Sequence, residues 1–525
     1  MNEVEGAQRP SISAFLWSRS ALLGLAAFFI AVGWMGSDFG RHWDEHWMVG
    51  AWVETVEEQA YRSPRPYPGF YYDLTLPSLV WASGQSSSRE VLLDRVKQPS
   101  FLINVRKQFV VFTATAIWIA FVLVRRMGRA NTEALLAAAV VGFSWQLSYH
   151  SRWVASDALL AVLVPASVCL SLEAWRRPER GLRRLGAAVL AGLAMATKYP
   201  GGLALWAVLW ASAWPRGGPP DRPQAGLRIM SAVGTFTLTF LVFSPHVWLN
   251  PRQALTDIQG MMAQYATGHL GHTVQPGLEH ALQIGHYLLE VLSPYPLIAL
   301  AFSLFALVGA AALLRARPVE TVLVFSVPLA YWAYFSTQHV MIIRNLLVLT
   351  PFAAALVGIG AGALCRLPSE LGFRRLLWAV VWLACLFNAI WTLRAAHSIE
   401  TYELKQSLIS LAETIEVSPD QEFRVSKQIG LQWQSSNLTP RSENWQLFEP
   451  QDGLEREARV AVLSHQYPVL WFPWPANQRG QYQDLGPSEI DWDFYPGWTG
   501  PDRVILMSGD TFKEVRTPRS DEASP

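Results

Sequence analysis

The sequence predicts an all-α polytopic membrane protein that carries a small α/β domain at its C-terminal end. The chain has 525 residues, of which 51% are hydrophobic, and 24 of them are tryptophan. Long apolar runs follow one another up to residue 395, and such runs together with an aromatic excess are typical of helices that cross a bilayer. Beyond that point, short apolar runs alternate with turns rich in Pro, Gly and Trp. We therefore divide the chain into a membrane domain, 1–395, and a C-terminal domain, 396–525.

The membrane domain is predicted to cross the bilayer about eleven times, because a crossing helix needs about 20 apolar residues. The fifth and sixth runs are short and flank the turn KYPGG. If they formed a single crossing, every later basic loop would lie on the wrong side of the membrane. The predicted crossings are 19–36, 109–124, 132–149, 157–174, 185–197, 202–214, 229–248, 292–314, 319–336, 345–365 and 376–394.

The positions of lysine and arginine predict how the chain is oriented in the cell membrane. Cytoplasmic loops collect these residues, and they concentrate here in alternate loops, beginning with RRMGR at 125–129 and RRPERGLRR at 176–184. This alternation predicts a cytoplasmic N-terminus and an external or periplasmic C-terminal domain. The first apolar run is followed by GSDFGRHWDE rather than by a small-residue cleavage site, so we interpret it as an uncleaved signal anchor instead of a signal peptide.

Two long loops are predicted on the external side, 37–108 and 249–290. Amphipathic patterns at 48–61 and 89–98 predict short helices in the first loop, lying along the membrane interface or forming a solvated loop subdomain. In the C-terminal domain, leucines at helical spacing predict a helix at 400–416. The runs ARVAVLSH at 458–465 and DRVILMSG at 502–509 predict strands.

An acidic pair, Asp44 and Glu45, follows the first predicted crossing. One interpretation is a helix cap, because carboxylates are favourable at a helix N-terminus. The other interpretation is a catalytic pair: flanking His and Trp side chains shield the carboxylates, which raises the affinity of a carboxylate for protons and suits a general base.

Three basic residues break the charge rule by lying at the external ends of predicted crossings: Arg152, Lys198 and Arg344. Each by itself is explained by snorkelling to lipid headgroups. Together they indicate an anion site, and at a membrane interface the natural anion is a lipid phosphate. Polar residues near them are assigned supporting roles: Asp73, Asp157, Tyr71 and Tyr199.

No metal is required by any pattern in the sequence. His269, His272, His280 and His286 lack an accompanying carboxylate motif. Asp44 and Glu45 together could hold a Mg²⁺ or Mn²⁺ ion, because hard cations bind carboxylate and phosphate oxygens together. The net charge of +1 and the lack of a concentrated basic face indicate no nucleic-acid partner.

These residues occur in an order that resembles membrane glycosyltransferases of the GT-C type, in the family that includes protein O-mannosyltransferases and aminoarabinose transferases of lipid A. The similar strings are the acidic pair, YPGFYYDLTLP, RWVASDALLA, GLAMATKYPG and IIRNLLVLTP. The resemblance implies transfer of a sugar from a polyprenyl-phosphate-linked donor to a lipid, glycan or protein acceptor at the external membrane face, usually with inversion. It implies that Asp44 is the base with Glu45 beside it, and that Arg152, Lys198 and Arg344 hold the lipid-linked phosphate.

The chain departs from the family pattern at two places: Asn345 follows Arg344, and the first loop has YPGF where the family often has paired prolines. Two other functions are kept as alternatives. A lipid or polysaccharide transporter or flippase would carry charges near the midplane on broken helices, whereas the middles of these crossings are almost free of charge. A non-enzymatic membrane assembly protein that presents the C-terminal domain is the second alternative, and it predicts that Asp44→Asn leaves function intact.

Overall fold

The computed structural model describes residues 12–38, 45–62, 67–154, 156–218, 222–268, 272–367, 370–401, 404–418, 420–426, 429, 445–448, 458–463, 482–485 and 504–516. Helices dominate this part of the chain, and a small sheet follows them. In the first half the helices are α1 (Ile12–Trp34), α2 (Glu45–Glu58), α3 (Phe70–Asp73), α4 (Leu76–Gly84), α5 (Arg89–Lys97), α6 (Pro99–Arg126), α7 (Asn131–Gly142), α8 (Trp145–His150), α9 (Ser156–Arg176), α10 (Gly181–Thr197), α11 (Leu205–Ala213), α12 (Arg222–Val242), α13 (Pro245–Leu249) and α14 (Pro251–Thr267).

The second half contains the remaining helices and the strands. The helices are α15 (Leu278–Leu292), α16 (Pro296–Ala316), α17 (Pro318–Ser336), α18 (Thr350–Cys365), α19 (Leu371–Thr401), α20 (Leu404–Val417) and α21 (Gly509–Arg516). A short 3₁₀ helix, Tyr199–Ala204, precedes α11, and a second one, Ile343–Leu349, precedes α18. The strands are β1 (Phe423–Ser426), β2 (Trp445–Phe448), β3 (Arg459–Leu463), β4 (Tyr482–Asp484) and β5 (Val504–Ser508).

In the described part of the chain, 8 helices are long and apolar enough to cross a membrane. They are α1, α6, α9, α12, α16, α17, α19, and α18 together with the 3₁₀ turn before it. Every predicted crossing coincides with a helix, but the runs at 132–149, 185–197 and 202–214 contain shorter helices, α7, α10 and α11. The predicted fold class is confirmed. The total of eleven crossings stays a prediction.

The first predicted external loop folds against the start of α6. Met48, Trp52 and Val56 lie four residues apart on α2 and are buried, because this spacing places them on one helical face. They belong to one apolar cluster with Phe101 and Val105 of α6. The two helices predicted in this loop are therefore confirmed as α2 and α5, and the loop has a core of its own.

Glycine allows α16 and α18 to approach each other closely. A Cβ atom built on Gly360 would lie 1.7 Å from the carbonyl oxygen of Phe305, and one built on Gly309 would lie 2.2 Å from that of Leu356. Helices in membranes associate through such small residues, since only close backbone approach gives sufficient packing contact.

Arginines from the basic loops gather at one end of the bundle around three buried glutamates. The glutamates are Glu133, Glu173 and Glu320, which are 1%, 5% and 7% exposed. Five ion pairs join α6, α7, α9, α10 and α17 with the residues that follow α16 and α18: Arg366–Glu133, Arg126–Glu173, Arg183–Glu173, Arg176–Glu320 and Arg317–Glu320. The charged groups discussed below lie at the opposite end, where α9 begins and α10 ends.

The C-terminal region contains a five-stranded sheet with the order β2-β1-β3-β5-β4. Strands β2, β1 and β3 are parallel, and β5 runs antiparallel to both β3 and β4. Leu408, Leu411 and Ile415 of α20 pack with Phe423 and Val425 of β1. The predicted helix and both predicted strand regions are present. Helix α19 passes through residue 395, so the domain boundary there stays a prediction.

Candidate active site

Three charged residues meet at the end of the bundle opposite the arginine-rich loops. Asp157 lies in the first turn of α9, Lys198 follows α10, and Arg344 lies in the 3₁₀ helix before α18. The chain can fold back after Lys198 because Gly201 has no side chain: a Cβ atom there would lie 2.2 Å from the carbonyl oxygen of Ala194. Helix ends of this kind bring polar side chains from distant parts of the sequence to one place.

The two cations share the carboxylate of Asp157. Lys198 Nζ lies 2.7 Å from Asp157 Oδ1, and Arg344 Nε lies 3.3 Å from Asp157 Oδ2. Lys198 Nζ also donates to Asn345 Oδ1 at 2.6 Å, and the Asn345 amide donates to Tyr265 Oη at 2.8 Å. Lys198, Arg344 and Asp157 are 9%, 4% and 4% exposed, so this charge cluster is almost removed from solvent.

The environment keeps the lysine charged. Burial alone would lower the pKa of Lys198, but the Asp157 carboxylate raises it above its usual value. His150 has the opposite response: burial and the nearby Arg344 charge lower its pKa to about 3, so its imidazole is neutral at physiological pH. The cluster therefore holds two fixed cations beside a neutral ring.

Several buried polar atoms near Asp157 have no hydrogen-bond partner among the described residues. They are both ring nitrogens of His150 and the hydroxyl oxygens of Tyr287 and Tyr331. Asp157 interacts electrostatically with each of these three side chains. Because an unsatisfied buried polar group is costly, such a group indicates a place where a ligand or water oxygen binds.

The segment YPGFYYDLTLP packs next to this cluster. Lys198 Nζ lies 5.9 Å from the ring centroid of Tyr67, within the range of a cation–π contact. The amide of Gly69 donates to Ser244 Oγ at 3.4 Å, and the Phe70 ring meets Phe243 edge-to-face at 5.2 Å. The first loop thus contacts Lys198 through Tyr67, and one polar and one aromatic contact attach it to the residues that follow α12.

Glu45 forms a buried ion pair that the sequence interpretation missed. Arg106 Nε donates to Glu45 Oε1 at 2.9 Å, Arg106 Nη2 pairs with Oε2, and the amide of Val154 donates to Oε1 at 2.9 Å. Glu45 is 0% exposed. Both carboxylate oxygens accept these hydrogen bonds, which anchor the start of α2 to α6, and the expected catalytic role of Glu45 stays a prediction.

The guanidinium of Arg152 contacts the end of α1. Its Nε donates to the carbonyl oxygen of Met35 at 3.1 Å and its Nη2 to that of Val32 at 2.8 Å. These carbonyls lie at the C-terminal end of α1, where backbone oxygens lack helical partners and a cation is favourable. Arg152 thus joins α8–α9 to α1, and its expected role at the lipid phosphate stays a prediction. Lys198 and Arg344 are the predicted cations that the described contacts bring together on Asp157.

The remaining predicted residues lie in different surroundings. Asp44, the expected base, lies outside the described residues, directly before Glu45. Tyr71 is buried in the loop core. Tyr199 is next to Lys198 in sequence, and its ring lies 6.4 Å from that of Phe240. Asp73 accepts a hydrogen bond from Tyr61 Oη at 2.9 Å, and burial raises its pKa to about 6.

Arg106 and Asn345 are the functional candidates that sequence reasoning overlooked. Arg106 carried the same signal as the three cations that were noticed, a basic side chain at the external end of a predicted crossing. Asn345 was noted only as a departure from the family pattern, whereas it accepts a hydrogen bond from Lys198. In the part of the chain that the structure describes, no three His, Cys, Asp or Glu side chains are grouped as a metal site.

The comparisons with known proteins agree with this architecture. Residues 102–249 match a family model described as dolichyl-phosphate-mannose-protein mannosyltransferase, a segment that contains Arg106, Arg152, Asp157 and Lys198. A search among curated proteins finds no match. The chain is similar in fold to the apo oligosaccharyltransferase of Archaeoglobus fulgidus, with a TM-score of 0.50 and 12% identity over 80% of this chain. It spans 63% of the length of that protein.

A second solved structure matches nearly the whole chain. ArnT from Cupriavidus metallidurans, bound to undecaprenyl phosphate, has a TM-score of 0.51 and 11% identity, and the match covers 96% of this chain and 99% of ArnT. At this identity the likeness shows the fold. The predicted resemblance is confirmed: residues 102–249 match the mannosyltransferase family model, and the chain shares the fold of ArnT and of the oligosaccharyltransferase.

Proposed function

We propose that this protein transfers a sugar from a polyprenyl-phosphate-linked donor to an acceptor at the external face of the cell membrane. The observation that carries the proposal is the meeting of Lys198 and Arg344 on opposite oxygens of Asp157. Two cations held rigidly in a nearly dry site stabilise a phosphate that gains charge as it leaves, since water screens them little. ArnT of similar fold was solved with a polyprenyl phosphate bound, which supports the same donor class here.

The reaction is a single displacement with inversion at the anomeric carbon. A hydroxyl or amine of the acceptor attacks that carbon while Asp44 accepts its proton. The bond between the anomeric carbon and the phosphate oxygen breaks, and its electron pair stays on the phosphate. Lys198 and Arg344 then face a polyprenyl phosphate with one more negative charge than the donor phosphate had. Asn345 orients Lys198, and the pair Glu45–Arg106 holds the chain immediately after the base.

The orientation and partners follow from the same proposal. The arginine-rich end of the bundle would face the cytoplasm, which puts the charge cluster and the C-terminal domain on the external or periplasmic side. The donor lipid and surrounding membrane lipids are the expected partners, and the acceptor is a lipid, glycan or protein. A Mg²⁺ or Mn²⁺ ion at Asp44 stays a prediction, which chelation with EDTA tests. No observation favours the transporter alternative.

The direct test is sugar transfer by the purified protein with labelled polyprenyl-phosphate sugars and membrane extract. We expect Asp44→Asn to lose turnover while keeping its melting temperature, and Lys198→Gln to lose about 100-fold or more in kcat, the usual cost of one electrostatic donor. Asp38→Asn, at an exposed acid six residues before the proposed base, is the matched control and should remain active. No transfer from any donor by folded wild-type protein would contradict the proposal.

A second test needs no turnover. Asp157→Asn leaves two buried cations beside a neutral amide, which should destabilise the ligand-free protein by about 3–5 kcal/mol. Polyprenyl phosphate would replace the missing negative charge, so it should raise the melting temperature of this variant more than that of the wild type. If polyprenyl phosphate stabilises neither protein, the cluster is not its binding site.

A further inference from the structure

A groove of about 740 Å³ lies on the first loop, separate from the charge cluster. It is formed by α4, by the end of α5 and by the first turns of α6, and Trp34 at the end of α1 closes one side. We call it the interfacial groove. Lys198, Arg344 and Asp157 do not line it, so it belongs to neither the proposed phosphate site nor its ion pairs.

The charge of the groove has one sign. Arg95 and Lys107 line it, and none of the described residues in its lining carries a carboxylate. Arg95 Nη1 donates to Gln85 Oε1 at 2.8 Å, and both residues line the groove. The amides of Gln98, Asn104 and Gln85 add polar groups around the two cations. This part of the groove therefore suits an anionic headgroup that also accepts or donates hydrogen bonds.

Polarity changes along α6 in the direction of the bilayer. Lys107 lies near the polar part, whereas Val111 and Phe112 line the far part and are 43% and 40% exposed. Five residues of helix separate Lys107 from Phe112, or about 7 Å along the axis. Val111 and Phe112 lie within the predicted crossing 109–124, whereas Lys107 lies two residues before it. The groove thus passes from a cationic, hydrated level into the hydrocarbon layer over the distance that separates a lipid headgroup from its acyl chains.

Two tryptophans frame this transition. Trp34 and Trp81 line the groove and are 43% and 71% exposed. Trp34 Nε1 donates to the carbonyl oxygen of Lys107 at 3.1 Å, and the Lys107 ammonium lies 5.8 Å from the Trp34 ring centroid. Exposed tryptophans of this kind are typical of the membrane–water interface. The cation is thus held in place by an aromatic ring, whereas an unrestrained lysine would extend freely to solvent.

We propose that the interfacial groove binds one anionic phospholipid from the leaflet at this end of the bundle. The headgroup phosphate pairs with Arg95 and Lys107, and one acyl chain lies against Val111 and Phe112. The bound lipid joins α4, α5 and α6, so it ties the first loop to the membrane independently of any substrate. Charge complementarity and the level of the groove in the bilayer select a phospholipid over a soluble anion.

The test compares retention of two probe lipids by the delipidated full-length protein in equal amounts of phosphatidylglycerol and phosphatidylcholine, read by native mass spectrometry. We expect the wild type to prefer phosphatidylglycerol. Each cation near an anionic lipid contributes about fivefold in affinity, so Arg95→Gln with Lys107→Gln should reduce the preference about twenty-fivefold. Lys97→Gln is the matched control, because Lys97 is an exposed cation on the same helix that does not line the groove.

Three results would overturn the proposal. The preference for phosphatidylglycerol could survive in the double variant, or Lys97→Gln could abolish it equally. Alternatively, polyprenyl phosphate could displace phosphatidylglycerol one for one, which would make the groove a donor site. Trp81→Ala changes the groove without removing a charge, so it should weaken retention of both lipids. Its melting temperature in detergent should stay near that of the wild type, which shows that the variant is folded. These readouts measure binding, so they are independent of whether sugar transfer is detected.

Discussion

Replacing Glu45 by glutamine distinguishes a positioning role from a catalytic one. The substitution keeps the shape of the side chain but removes its charge, leaving the Arg106 guanidinium, which is 1% exposed, without its carboxylate. Breaking a buried ion pair by neutralising one partner costs about 3–5 kcal/mol, because the remaining charge stays out of water. The glutamine oxygen can still accept from Val154, so we expect a loss near the lower limit, about 3 kcal/mol.

The assay is a double-mutant cycle on detergent-purified protein, followed by thermal unfolding. Arg106→Gln alone should also destabilise strongly, whereas the double variant carries no buried charge and should lose about 1–3 kcal/mol less than the sum of the single variants. Glu57→Gln, at an exposed position on the same helix, is the control and should change stability by less than about 0.5 kcal/mol.

Sugar transfer measured per folded molecule completes the experiment. If Glu45 only positions the chain after Asp44, the double variant should recover part of the turnover along with its stability. The reasoning is refuted if Glu45→Gln unfolds at the wild-type temperature and yet has no turnover. That result would show that Glu45 takes part in the chemical step.

Two further perturbations test the loop and the bundle. Burial raises the pKa of Asp73 to about 6, while the unfolded carboxyl loses its proton near pH 4; the folded state therefore binds more protons between these values, and stability should fall as pH rises through this window. Asp73→Asn should remove that fall and raise the free energy of unfolding at pH 7 by about 1 kcal/mol, which is less than the full pKa shift would give because solvent screens the partly exposed carboxylate. Melting temperature measured against pH tests this, and an unchanged pH profile would contradict the assignment. Gly360→Ala should destabilise by about 2 kcal/mol or more, since its Cβ would meet the carbonyl oxygen of Phe305, whereas Gly234→Ala, with nothing within 4 Å, should be neutral or slightly stabilising. Equal melting temperatures for the two alanine variants would show that the helices separate without cost.

The parts of the candidate site that sequence reasoning anticipated are those with a local signal. Lys198 and Arg344 stood out because each is a cation at the wrong end of an apolar run, and the structure brings them together on Asp157. Arg152 carried the same signal, yet its guanidinium donates to the end of α1. Position relative to the membrane is readable along the chain, but the direction in which a side chain points is not.

The sequence by itself determined the membrane class, the helical segments and the helices of the first loop. These features depend on runs of neighbouring residues, because a crossing helix satisfies its backbone hydrogen bonds within its own segment. Only the tertiary structure decided which charges pair. Glu45 and Arg106 are 61 residues apart, and Lys198 and Asn345 are 147 apart, so no local pattern relates them. Burying a charge is costly unless it is paired, and the packing of the helices determines which charged and polar groups lie close enough to pair.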